Sequence, residues 1–241
     1  MFTFTPKISM NENFHRFNYL MDKNTVIFVS VCVVGVNLYY FDPTATTVVV
    51  PSMTVMCCFM VAVNMILKRI LNHSRPSGAL KESAGMPSNH AASLMFLSII
   101  ACEGLQRSHA EFLAPCSYLT FTCVTPSYFF LWLIQGLIIA FAIYGSVLRV
   151  ICGDHTMPQV LVGGAFGLSS AILVMRLNYA GYTGLRAGGR IDELGYPVKR
   201  LLLFVSTGII SLTVKKIAHS YKRYILSSKC IMKERRKVNS S

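Results

Sequence analysis

The stretch TTVVVPSMTVMCCFMVAVNMIL, residues 46–67, decides the fold, because this uncharged run ends abruptly in Lys68 and Arg69. Crossing the hydrocarbon of a bilayer as a helix takes about 20 mostly apolar residues, and basic residues collect where such a helix leaves the lipid. Comparable runs lie on either side of it, at approximately Thr25–Phe41, His90–Leu105, Tyr128–Leu148 and Thr156–Met175. The expected fold class is therefore all-α, a polytopic membrane helix bundle. Composition agrees: 53% of the 241 residues are hydrophobic, 14% are charged and the mean hydropathy is +0.51, which is too apolar for an ordinary soluble domain.

Two shorter apolar runs leave the number of spans at four to six. Leu113–Val124 is flanked by prolines and reads as re-entrant, as interfacial, or as an extension of its neighbours. Leu201–Val214 is bounded by Lys199 and Arg200 before it and by Lys215 and Lys216 after it, and either lies in the interface or spans a thinned bilayer. The chain then divides into a polar N-terminal segment (1–24), one membrane domain (25–176), a glycine-rich loop with the short apolar run (177–217) and a basic C-terminal tail (218–241). Met1 to Lys23 is polar, so the run from Thr25 is expected to be a retained span rather than a cleaved signal.

The net charge of +13 is spread over short loops and the tail. That pattern suits topology signals and contact with phospholipid, and with no interleaved aromatics it does not suit nucleic acid. Of the eight cysteines, Cys32, Cys57, Cys58, Cys102 and Cys123 fall inside apolar runs and read as small buried hydrophobes. Nothing in the sequence specifies an oligomeric state.

The chemistry lies in where the polar residues stand. Lys68, Arg69 and Arg75 follow the second run, Ser88 and His90 precede the third, Arg149 ends the fourth, and Asp154 and His155 open the fifth. Alternating passage places all of them at one rim of the bilayer. Arginine binds phosphate oxygens bidentately and lysine binds them as a point charge. Helix N-termini beside His90 and His155 add backbone N–H groups that favour anions. Such a set suits a phosphate group.

The ordered spacing Lys68-x6-Arg75-Pro76, Pro87-Ser88-Asn89-His90 and Arg149-x5-His155 resembles the three-part signature of the type 2 phosphatidic acid phosphatase (PAP2) superfamily, over roughly Thr46 to Met175. The resemblance implies a PAP2/chloroperoxidase-like core. It makes His155 the nucleophile of a phosphohistidine intermediate and His90 the acid that protonates the leaving group. Lys68, Arg75, Ser88 and Arg149 become the phosphate cradle, with no metal and no other cofactor. A neutral imidazole is a competent nucleophile near pH 7, and a protonated one can serve as general acid. Between Lys81 and Arg190 the carboxylates Glu82, Glu103, Glu111 and Asp154 are too scattered for a two-metal cluster, and Pro158 rules out a Cys-x5-Arg loop at Cys152.

Two positions depart from the superfamily pattern, Leu148 in place of Ser and Gln159 in place of the Asp that would orient the nucleophile. Gln159 offers the imidazole only an uncharged amide oxygen. Together with Gly85-Met86-Pro87-Ser88, it is similar to the dolichyldiphosphatase branch. That branch implies hydrolysis of dolichyl diphosphate in the endoplasmic reticulum membrane, with the site facing the lumen and, for five spans, the basic C-terminus in the cytosol. Asn89 stands where many members have Gly, either beside the cradle or facing the lumen. Asp154 reads as a helix N-cap or as a replacement carboxylate. His73, His109 and His219 read as loop or interface residues. A broader lipid phosphate phosphatase and an inactive lipid-phosphate binder are the rival functions.

Overall fold

The computed structural model describes residues 12–41, 43–44, 48–76, 79, 84–113, 128–179 and 195–238. Their regular structure is helical throughout: α1 (Glu12–Tyr39), α2 (Val49–Leu71), α3 (Asn89–Leu113), α4 (Tyr128–Ile151), α5 (Met157–Tyr179) and α6 (Tyr196–Val238). Residues 1–11, most of the proline-flanked run 113–124 and most of the glycine-rich loop lie outside the described residues.

Side-chain contacts give the directions of the first five helices. Asn37 near the end of α1 donates to Thr54 near the start of α2, 2.8 Å away, and Asn64 late in α2 donates to Asn89 at the start of α3. Gln135 early in α4 reaches the Cys102 carbonyl late in α3 at 3.0 Å. These pairs run antiparallel. By contrast α3 and α5 run parallel, since Gly163 faces Ser88 and Gly167 faces Ala92. The ends of α2 and α4 and the starts of α3 and α5 therefore share one rim.

The α3–α5 contact is close because both glycines lack a Cβ. A Cβ on Gly163 would stand 2.5 Å from the Ser88 carbonyl oxygen, and one on Gly167 would overlap the Ala92 carbonyl. Small residues four apart let two helix backbones meet, which is how membrane helices gain packing without a hydrophobic driving force between them. Beside this seam Met60, Ala92, Phe96 and Ala171 form a buried core, joined by Val61, Leu97, Ile100 and Phe166. Large apolar side chains on the outside, such as Phe59, Ile70, Trp132, Leu161 and Phe204, are exposed in the position where lipid would cover them. Tyr39, Tyr40 and Phe41 at the end of α1 and Tyr128, Phe129 and Trp132 at the start of α4 are exposed at the far rim, an aromatic belt at headgroup level.

Three elements differ from the sequence expectation. The first helix starts at Glu12 rather than Thr25, and its span is Phe17–Tyr39. The polar residues Asn18 and Asp22 are buried, and Asp22 pairs with Arg149 of α4, which ties this part of the helix to the bundle. The short run Leu201–Val214 is the middle of one long helix whose span is Tyr196–His219. Its flanking Lys and Arg are good helix formers that carry their charges to headgroup level on long stems. Among the described residues five helices, α1, α2, α4, α5 and α6, are long and apolar enough to cross a membrane. The third is too polar for that set. It packs among α2, α4 and α5, and its Glu103 and Arg107 pair at 2.7 Å.

Candidate active site

The rim shared by α2, α3, α4 and α5 collects the residues singled out by spacing. Asn72, in the left-handed conformation at φ 40°, ends α2 with its N–H on the Lys68 carbonyl at 3.0 Å. The chain then turns across the bundle, and Arg75 Nη1 donates to the Asp154 carbonyl at 2.9 Å in the α4–α5 turn. The same Nη1 stands 3.4 Å from His155 Nε2. On the other side the Ser88 N–H donates to the Gln159 carbonyl at 3.0 Å, which ties the start of α3 to the first turn of α5. Ser88 is fully buried, and His90 follows in the first turn of α3 with its Nε2 enclosed.

Gln159 is completely buried and fixes the nucleophile candidate. Its Nε2 donates to the Ser74 carbonyl at 2.7 Å, and its Oε1 accepts the Thr156 N–H at 3.2 Å. A carbonyl can only accept and an N–H can only donate, so these two backbone partners set the amide orientation. The same Oε1 lies 3.1 Å from His155 Nδ1, so Nδ1 must carry the hydrogen. Nε2 of His155 is then left with its lone pair, facing Arg75. Gly85 makes room for this arrangement, since a Cβ there would come within 2.5 Å of the Gln159 amide.

His155 is pushed down from 6.5 to about 4, first by burial. The Gln159 hydrogen bond opposes that shift, and the nearby charges of Arg75, Lys68 and Arg149 add to it. The imidazole is thus neutral near pH 7, and all three predicted cations act on it.

Arg149 is held by two carboxylates, with Asp22 Oδ2 2.6 Å from Nη1 and Asp154 Oδ2 2.8 Å from Nη2. Asp154 therefore serves Arg149 and, through its carbonyl, Arg75. Asn89 accepts from Asn64 at 2.5 Å and so turns toward α2 inside the bundle. Leu148, where the superfamily pattern has Ser, is fully buried in the core. His109 lies near the end of α3 and His219 at the end of the α6 span.

Two neighbours escaped the sequence reading: Asp22 comes from α1, and Asn64 lies on α2 four residues before Lys68. His73, read from the sequence as a loop or interface residue, lies in the loop after α2 with its Nδ1 3.1 Å from Gln159 Nε2. Asp22 and Asn64 carried a usable signal, because a polar or ionisable residue within a membrane helix is costly and is retained for a partner.

The PAP2 superfamily pattern matches residues 53–181. Lipid phosphate phosphatase epsilon 1, chloroplastic, of Arabidopsis thaliana is 36% identical over 112 residues, 46% of this chain and 34% of the relative. Lipid phosphate phosphatase epsilon 2, chloroplastic, of the same plant is 35% identical over 104 residues, 43% of this chain and 31% of the relative. The chain thus spans about a third of the length of the curated relatives it matches. No solved structure matches. The matched stretch runs from the second helix through the fifth and carries every residue of the three-part spacing, and the chain belongs to the PAP2 superfamily.

Proposed function

We propose that this protein is a lipid phosphate phosphatase working through a phosphohistidine on His155. The observation that carries the reading is a neutral His155 whose Nε2 lone pair faces Arg75 within reach of three cations. In the first step Nε2 attacks phosphorus, the bond from phosphorus to the lipid oxygen breaks, and His90 gives its proton to that oxygen. Water then attacks phosphorus as His90 takes back a proton from it, the phosphorus–Nε2 bond breaks, and inorganic phosphate leaves with His155 neutral again. The Nδ1–H held by Gln159 keeps the imidazole in the tautomer that both steps use. Positioned proton transfer contributes about 10² to 10⁴ in rate.

The lipid part follows from depth. The site lies at the ends of membrane helices, where an anchored chain keeps its tail in the bilayer while presenting phosphate. The names of both Arabidopsis relatives favour a lipid phosphate over dolichyl diphosphate. Gln159 with Gly85-Met86-Pro87-Ser88 is what still supports the dolichyl diphosphate reading, and an endoplasmic reticulum lumenal site belongs to that reading alone.

Phosphate release from phosphatidate and from dolichyl diphosphate in detergent micelles separates the two. A higher kcat/KM for phosphatidate is expected, together with an acid-labile phosphoprotein that His155→Ala abolishes. A preference for dolichyl diphosphate reverses the order, and no release from any lipid leaves an inactive lipid-phosphate binder.

A further inference from the structure

Asp22 lies on α1, outside the matched residues 53–181, in a helix segment apolar enough to span the membrane. A carboxylate at that depth is costly and persists only with a partner. Its partner is Arg149 of the three-part spacing, at 2.6 Å, with the two side chains 9% and 13% exposed. Asp154 holds the other terminal nitrogen at 2.8 Å. Both ends of the guanidinium fork that would bind phosphate oxygens are therefore already engaged by carboxylates.

This changes the charge the site presents. Among the described residues Lys68, Arg75 and Arg149 supply three positive charges around His155 and the proton that His90 gives in the proposed mechanism a fourth, while Asp22 and Asp154 return two negative ones. Two net positive charges remain from these groups in a mostly enclosed rim, about what a phosphate monoester offers. A phosphate monoester carries about −1.5 to −2 near pH 7, and a diphosphate adds a further ionised oxygen with no added cation to meet it. Buried like charges repel more strongly than the same charges in water, so the mismatch falls mainly on the larger anion.

We infer that Asp22 is a specificity-determining residue, a fixed negative charge on α1 that sets the site for a lipid monophosphate and against a diphosphate. The substrate class rests on the lipid phosphatase reading, whereas the charge effect does not.

The test compares wild type, Asp22→Asn and Asp22→Glu on diacylglycerol phosphate and diacylglycerol diphosphate, which share one lipid anchor. In Asp22→Asn the kcat/KM ratio is expected to move toward the diphosphate by at least about fivefold, with Asp22→Glu keeping the wild-type ratio. A ratio unchanged in Asp22→Asn, or moved equally in Asp22→Glu, overturns the inference. Thermal stabilisation of the wild-type protein by inorganic phosphate and by pyrophosphate gives a second reading that needs no variant. Phosphate at least as effective as pyrophosphate at equal concentration supports the inference, and pyrophosphate clearly the stronger overturns it. Should wild type hydrolyse neither lipid, the enzymatic reading fails, while the stabilisation comparison repeated on Asp22→Asn still decides the role of Asp22, an unchanged preference between phosphate and pyrophosphate overturning it.

Discussion

Gln159 leaves His155 neutral where a carboxylate would let it charge. It orients His155 through Nδ1 without adding a negative charge, so burial and the surrounding cations dominate and hold the imidazole at about 4. A histidine depressed below its unfolded value of 6.5 takes up its proton more readily in the unfolded chain. Its contribution to stability is therefore intact above pH 6.5 and is lost as pH falls toward 4. For turnover, the acid limb of kcat/KM that belongs to the nucleophile is expected near pH 4 rather than near 6.5. Gln159→Glu places a carboxylate against Nδ1 and should raise that limb by about one pH unit or more. A pH profile of kcat/KM for wild type and variant checks this, and an unmoved limb would detach Gln159 from the nucleophile's charge. The spacing identified Gln159 as the departure from pattern. It did not show the partners, because the Ser74 carbonyl and Gly85 come from a loop more than 70 residues earlier in the chain.

At the scale of elements the seam between α3 and α5 positions the site, since it sets Ser88 beside Gln159. Gly167→Ala puts a methyl group onto the Ala92 carbonyl, so one helix must shift. Overpacking of this kind costs about 1–3 kcal/mol and should lower the thermal midpoint in detergent. Gly164→Ala, with nothing within 4 Å, is the matched control and should leave the midpoint near wild type. Equal midpoints for the two variants would remove the seam from the account. The pair Gly163-x3-Gly167 was visible in the sequence as a small-residue repeat within an apolar run. Which helix it meets depends on how the bundle closes.

For the whole molecule, Asp22 meeting Arg149 puts the N-terminal part of α1 at the site rim. With α6 as the next crossing after α5, the basic tail returns to that same rim. A lumenal site and a cytosolic tail then no longer go together, because both stand at one rim. Single cysteines at Phe14, Ala79 and His219 are expected to react from one face of sealed vesicles, and one at Tyr128 from the other. Labelling of positions 79 and 219 from opposite faces would overturn the crossing by α6. Helices, their rough number and the three-part spacing were determined by the sequence alone, because length, apolarity and charge at helix ends are local properties. Tertiary structure decided that α3 is enclosed despite its charges and that α1 begins at Glu12. It also decided that Arg149 reaches the site between two carboxylates. The physical reason is the same in each case: a polar group in a membrane bundle is stable only with a partner, and that partner comes from a distant part of the chain.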